Sequence, residues 1–321
     1  MRILRIFCFV LLIFCEKAFT QSNISLLGEE LIKTNRISGI TEWNHPFTGE
    51  EPTETGTISL TASYGKDGYL LEETTYNSTG KESRKVMSRY DNMGNRIEYK
   101  IFDYRNNRIT FSQMADFDDQ GNKLLEWGFD GIGDYRNIYH HQSDGKKAEI
   151  HYNTQGTLKE KRVFSYNKNE TIIHVILPDN STSEIIKLLY NHQDKLVKEA
   201  YYNDQNQLLR KNEYSYSHNG MKKEERRYQG EQMQYRYTYI YDENLLVRII
   251  RTDRTGRQII TNRYTYNDKE KLTREEWYNE NSDDYSSRQF SWDSRGNMIS
   301  VASYYASYRY RAFFRYDYNY F

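Results

Sequence analysis

The sequence has few of the residues on which several protein classes depend. Its 321 residues include only two cysteines and three prolines, and 45 basic residues balance 45 acidic ones. A balanced charge gives no positive field for phosphates, which argues against a nucleic-acid binder that works through bulk charge. Hydrophobic residues make up only 37% of the chain, too few for one large apolar core. The fold must therefore use side chains that tolerate partial burial.

Catalytic signatures are missing as well. The sequence has no Walker, dinucleotide-binding, nucleophile-elbow, zincin or CxxC motif. Its seven histidines are scattered, and the closest set is His140, His141 and His151. A tight turn at 144–145 would place His140 and His151 opposite other residue types, so the three do not converge on a metal. We predict a protein that is not an enzyme and that needs no cofactor or metal.

Tyrosine is the residue present in excess. The chain has 31 tyrosines, and aromatic residues account for 15% of it, which excludes a solvated disordered polymer. Tyrosine favours β-strands, and its flat ring can be buried while its hydroxyl stays in water. The composition therefore favours a thin, β-rich architecture.

The N-terminus has the features of a secretory signal. Arg2 and Arg5 precede an apolar run from Ile6 to Cys15, and cleavage is predicted before Gln21, which makes residues 1–20 a signal peptide. The apolar run is too short to span a bilayer, which takes about 20 residues. An uncleaved anchor, a buried first strand and lipidation at Cys15 are the alternatives. Both cysteines lie in this leader, so the mature chain has none and suits the bacterial periplasm, cell surface or medium.

A short motif repeats along the rest of the chain. Tyr90-Asp91-Asn92-Met93-Gly94-Asn95 recurs at Phe117–Asn122, at Tyr152–Gly156 and at Trp292–Asn297, with weaker copies at a mean step of about 12.7 residues. The aromatic would end a strand, the Asp or Asn would cap a type I turn, and the Gly would take the left-handed conformation that reverses the chain. This step leaves about eight residues for each strand.

Alternation within the strands indicates a two-faced sheet. From Met233 to Tyr241 every second residue is Met or Tyr, and polar residues mostly fill the other face. We predict an all-β fold over residues 57–321, an antiparallel β-hairpin meander of roughly 20 short strands in an open or spiral sheet, with no substantial helix after the signal peptide. Residues 21–56 would form an N-terminal cap or linker that covers the open sheet edge.

The aromatic-Asp-x-x-Gly-Asn pattern resembles the YD repeats of the RHS family, most clearly at Tyr90–Ile97, Phe117–Leu124 and Trp292–Met298. A second resemblance, carried by the segment Tyr266–Leu272, is to YwqK-type antitoxin repeats. The first resemblance implies long antiparallel sheets in secreted or surface proteins that are often described as sugar-binding. The second implies an immunity protein that binds a toxin.

We therefore predict an exported, non-catalytic β-repeat protein that provides a binding or scaffold surface, with carbohydrate binding, at the bacterial cell envelope. The alternatives are an immunity protein with a toxin partner and, with less support, an outer-membrane β-barrel. Neither nucleic acid nor a membrane span of the mature chain is expected, and the partner would be a glycan or a protein. Rows of Tyr are expected mainly to stabilise the sheet, and flat rings would also suit a sugar. The candidate ligand platform consists of Trp127, Trp277, Trp292, Tyr235, Tyr237 and Tyr239.

Overall fold

A computed structural model describes residues 23–280 and 283–321, and most of them are in β-strands. A short 3-10 turn covers Asn23–Leu26, and the helix α1 spans Gly28–Thr34. The predicted signal peptide, its cleavage before Gln21 and Cys15 lie outside the described residues. Within the described ranges, no helix is long and apolar enough to cross a membrane.

The described residues form 24 strands, of which β2 and β3 make a separate small hairpin. The strands are β1 (Ile37–His45), β2 (Phe47–Thr48), β3 (Glu51–Pro52), β4 (Thr57–Tyr64), β5 (Leu70–Tyr76), β6 (Glu82–Tyr90), β7 (Arg96–Asp103), β8 (Arg108–Phe117), β9 (Lys123–Phe129), β10 (Asp134–His141), β11 (Lys147–Thr154), β12 (Thr157–Asn167), β13 (Glu170–Ile176), β14 (Thr182–Tyr190), β15 (Leu196–Tyr202), β16 (Leu208–Tyr216), β17 (Lys222–Gln229), β18 (Gln232–Asp242), β19 (Leu245–Asp253), β20 (Gln258–Tyr266), β21 (Leu272–Asn279), β22 (Asp284–Trp292), β23 (Met298–Tyr305) and β24 (Tyr310–Tyr320).

The other 22 strands form one closed antiparallel sheet. From β4 to β24 each strand pairs with the next one in sequence, and β1 pairs with β4 on one side and with β24 on the other. The sheet is therefore a β-barrel with no free edge among these strands. The predicted open or spiral sheet is wrong, because β1, which lies in the segment 21–56, fills the gap between the first and last strands of the repeat. The all-β class and the antiparallel hairpin order are confirmed.

The turns follow the repeated motif. In the first strong copy the Asp91 carboxylate accepts backbone hydrogen bonds from Met93 at 2.9 Å and from Asn95 at 2.8 Å. Gly94 takes a φ of +84°, the left-handed region that glycine adopts without steric cost. Tyr90 ends β6 directly before this turn, as the motif predicts.

The N-terminal segment supplies much of the apolar core. Ile24, Leu27 and Ile32 are buried, and they belong to one cluster with Ile40 of β1 and Val301 of β23. A smaller cluster forms around Ile173, Val175 and Ile186 on β13 and β14. The remaining sheet is a single layer, in which extensive contacts are almost all between neighbouring strands.

Candidate functional site

The sheet has two faces of different character. Residues directly opposite each other in an antiparallel pair share a face, and following the pairs around the ring places a series of tyrosines together. This tyrosine face carries Tyr99, Tyr135, Tyr139, Tyr152, Tyr201, Tyr214, Tyr235, Tyr237, Tyr239, Tyr264 and Tyr316. It also holds nearly all of the buried apolar side chains of the ring, such as Val86, Ile150 and Val175. Because side chains converge inside a closed sheet, the less exposed tyrosine face is the inner one.

Carboxylates and arginines are interleaved with the tyrosines on this inner face. Glu225 is 6% exposed, and it accepts hydrogen bonds from Arg227 at 2.7 Å, from Lys222 at 3.2 Å and from the Tyr239 hydroxyl at 3.0 Å. Burial, followed by the charge of Glu225, raises the pKa of Tyr239 above its ordinary value. The Tyr239 hydroxyl therefore remains protonated and can donate its hydrogen bond to Glu225 at neutral pH.

The opposite face, here the charged face, is also polar. Lys85 and Glu72 form an ion pair at 2.7 Å, and Arg226 and Glu224 form one at 2.6 Å. His140 and His151 lie here with ring centroids 5.0 Å apart, and His151 contacts Glu149 at 2.9 Å. As predicted, His140 pairs with Glu149 and His151 pairs with Ile138. Among the described residues, no group of three or more His, Cys, Asp or Glu side chains could hold a metal ion.

The candidate platform is divided between these surfaces. Tyr235, Tyr237 and Tyr239 lie together on the tyrosine face, and Trp277 lies on the same face three strands further on, at β21. Trp127 lies on the charged face, where it pairs with Met114 and Arg136. Trp292 also lies on the tyrosine face, where its ring is 6.3 Å from that of Phe290. The structure therefore brings five of the six aromatic residues to one face but leaves Trp127 on the other.

Trp292 has a structural role at the end of the barrel where β1 begins, which we call the terminal end. Its indole Nε1 donates to the carbonyl of Leu272 at 2.7 Å, and Lys271 lies over the ring at 5.6 Å. The same cross-strand hydrogen bond recurs along this end. It joins Tyr166 to Lys147, Tyr216 to Leu196, Tyr241 to Lys222, Tyr266 to Leu246 and Tyr318 to Met298. This series explains why an aromatic ends so many strands, and it could not be predicted without the strand pairing.

An open cavity of about 610 Å³ lies at the opposite end of the barrel, which we call the distal end. Tyr235 of β18, Arg251 of β19 and Tyr278 of β21 line it, together with the turn 254–257 between β19 and β20. Tyr235 is 39% exposed, which makes it one of the more accessible rings on the tyrosine face. The sequence predicted Tyr235 as a ligand residue, but gave no signal for the arginines beside it, because they belong to a turn that departs from the aromatic-Asp motif.

Comparisons with known proteins give little beyond the architecture. No family model and no curated protein matches the chain. Among solved structures, a TcdB2-TccC3 crystal structure matches with a TM-score of 0.28 and 10% identity over 86% of this chain and 19% of that one. A porin-like protein from Bacteroides uniformis matches with a TM-score of 0.28 and 10% identity over 89% and 97% of the two chains. Another porin-like protein, from Bacteroides vulgatus, has a TM-score of 0.28 and 10% identity over 70% and 95%.

These likenesses are too distant to carry an argument about function. This chain spans about a fifth of the TcdB2-TccC3 chain that it matches. The YD-repeat likeness of the turns therefore remains a resemblance. The function must therefore be argued from the barrel and its side chains.

Proposed function

We propose that this protein is an exported, closed β-barrel of the cell envelope that binds polysaccharide without catalysing a reaction. The observation that carries the proposal is the ring of 22 strands with an inner face of tyrosine, arginine and glutamate. Flat tyrosine rings can stack on sugar rings, while guanidinium and carboxylate groups can hydrogen-bond to sugar hydroxyls. Since the sheet is closed, these groups are held at fixed spacing on a rigid support.

The charges on both faces support a barrel that is surrounded by water. On the charged face, Arg263 and Arg274 both pair with Glu276, at 3.4 Å and 2.8 Å. On the tyrosine face, Arg288 pairs with Glu275 at 2.6 Å. A lipid-facing surface needs an apolar band, and a Lys or Arg side chain at the bilayer midplane costs about 2–4 kcal/mol. Neither face of the described barrel offers a band free of such charges.

A second candidate is an outer-membrane β-barrel, and the closure of the ring is the observation that favours it. Closed barrels are the only β-structures that satisfy every backbone hydrogen bond within lipid, and outer-membrane transporters with 22 strands are known. Under this candidate the leader would direct the chain to the bacterial outer membrane. The toxin-binding alternative remains a prediction that rests on the turn resemblance alone.

Two measurements distinguish the candidates. The full chain, expressed with its own leader in a bacterium, should appear in the envelope fraction and should be extracted by alkaline carbonate without detergent. Retention in the membrane pellet until detergent is added would support the outer-membrane barrel instead.

Affinity electrophoresis through gels that contain neutral or acidic polysaccharides tests the binding function. The proposal expects retardation in at least one such gel, and Trp277→Ala combined with Tyr237→Ala should reduce it. Trp127→Ala, on the charged face, is the matched control and should leave the retardation unchanged. Migration that no polysaccharide affects would contradict the binding function whatever the location of the protein.

A further inference from the structure

The carboxylates around the distal cavity are already engaged. Glu280 forms an ion pair with Arg251, and Asp283 accepts a hydrogen bond from the Tyr278 hydroxyl. Asp253 lies beneath the turn, where it accepts the backbone N–H of Thr255 at 2.8 Å and that of Arg257 at 3.1 Å. These hydrogen bonds lower the pKa of Asp253, the largest contribution coming from the Thr255 side chain. All three carboxylates therefore already have hydrogen-bond or ion-pair partners within the protein.

Two other arginines of the same cavity, by contrast, form no ion pair with a carboxylate of the described residues. Arg254 and Arg257 are exposed, both line the cavity, and neither forms an ion pair within the described part of the chain. The formal charges of the six charged residues that line the cavity add up to zero. The ligand charge that the cavity selects therefore depends on which of these groups are unpaired, not on the net charge. The available ones are the two guanidinium groups, which present planar, paired donors that fit a carboxylate or sulfate.

A ring-binding surface lies beside these arginines. The guanidinium of Arg251 lies over the Tyr235 ring, 5.1 Å from its centroid, and the ion pair with Glu280 fixes this guanidinium in place. Tyr237 is tilted against Tyr235, with a centroid distance of 6.4 Å. Tyr235 is thus held in a defined orientation while more than a third of its surface remains exposed to the cavity.

We infer that this distal cavity binds a sugar unit that carries a negative charge, with its ring on Tyr235 and its acidic group between Arg254 and Arg257. The cavity volume of about 610 Å³ is within the range of small-molecule sites, and its open mouth admits a residue that belongs to a longer chain. The inference rests on the proposed polysaccharide binding and adds the location of the site and the class of sugar.

Matched oligosaccharides test this inference on the full mature chain. Isothermal titration at about 0.15 M salt, where long-range charge effects are largely screened, compares oligogalacturonate with the neutral galactose oligomer of equal length. We expect wild-type protein to bind the acidic oligomer at least tenfold more tightly. R254Q/R257Q should remove this preference by lowering the affinity for the acidic oligomer to that for the neutral one. Tyr235→Ala should weaken both ligands, and Tyr235→Phe should behave as wild type because the ring is kept.

A second arginine pair on the same end provides the control. Arg105 lies in the turn between β7 and β8, Arg108 begins β8, and both are exposed and absent from the cavity lining. R105Q/R108Q therefore removes the same charge and should change affinity less than twofold. An equal loss in both double variants would show attraction by bulk charge and overturn the inference. Displacement of the acidic oligomer by inorganic phosphate alone at equal concentration would show a plain anion site and also overturn it. Equal binding of both oligomers would refute the inference alone, whereas no binding of either would refute the proposed function as well.

Discussion

The buried hydrogen bond between Tyr316 and Glu42 holds the last strand against the first, and its removal should measurably destabilise the barrel. The Tyr316 hydroxyl donates to Glu42 at 2.8 Å, and Ser59 of β4 donates to the other carboxylate oxygen at 2.8 Å. Tyr316 is 5% exposed and Glu42 is 7% exposed, so water cannot readily replace the lost donor. A hydrogen bond to a charged group contributes about 1.5–3 kcal/mol. Tyr316→Phe should therefore lower the free energy of unfolding by about this amount at a pH where Glu42 is ionised.

The pH dependence of this effect has a defined sign. Burial raises the pKa of Glu42 above its ordinary value, although hydrogen bonds from Ser59 and Tyr316 oppose the shift. The folded state therefore binds a proton more readily than the unfolded chain. This group contributes stability that is present below its unfolded pKa and is lost as the pH rises through its folded pKa. At acidic pH, where Glu42 is neutral, the cost of Tyr316→Phe should fall to about 0.5–1.5 kcal/mol.

Urea unfolding followed by tryptophan fluorescence at several pH values measures these costs. Tyr310→Phe is the matched control, since Tyr310 lies on the same strand, is 54% exposed and has an aromatic neighbour in Tyr305. It should change the free energy of unfolding by less than about 0.5 kcal/mol. Equal effects of the two substitutions, or a Tyr316→Phe cost that grows as the pH falls, would refute the reasoning.

Three further predictions concern the core, the sheet and the turns. Ile40→Ala on β1, where the side chain is 1% exposed, should cost about 2–5 kcal/mol in thermal or urea unfolding, whereas Ile132→Ala at a 77% exposed turn position should cost little. Gly128→Ala should cost more than about 3 kcal/mol, because the new Cβ would lie 1.8 Å from the Ser112 carbonyl oxygen; normal unfolding of this variant would contradict the packing described. Hydrogen bonds from the side chain and backbone N–H of Asn122 lower the pKa of Asp118. The stability that Asp118 contributes is therefore present above its unfolded pKa and is lost as the pH falls through its folded pKa. Asp118→Asn should therefore flatten the acid limb of a stability–pH curve, and an unchanged limb would argue against the capping role.

Much of the local structure could be predicted from the sequence, because each copy of the motif specifies its own turn. Tyr90 through Asn95 form the expected reversal, and Tyr235, Tyr237 and Tyr239 share one face as the alternation predicts. Ring closure could not be predicted, since the β1 sequence Ile37–His45 carries no copy of the motif and its partners are distant in the chain.

The division of the candidate platform was also beyond sequence reasoning. Alternation shows which residues of one strand share a face, but the relation between strands depends on the bulges beside each turn. One such irregularity falls between Asp116 and Phe117, at the end of β8. A shift of one residue exchanges the faces, so the sequence could not show that Trp127 and Trp277 lie on opposite sides of the sheet. The arginines of the distal cavity were missed because only the pairing of β18 with β19 brings them beside Tyr235.

The pairing of β1 with β24 also determines when this chain can complete its fold during biosynthesis. Glu42 and Tyr316 are 274 positions apart in sequence, so the contact between them cannot form until almost the whole polypeptide has been synthesised. Until then β1, which pairs with β4 on one side only, presents a row of unpaired backbone groups that invites association with other nascent chains. Such a high contact order slows folding, and chaperones that shield exposed strands should therefore raise the yield of the native protein.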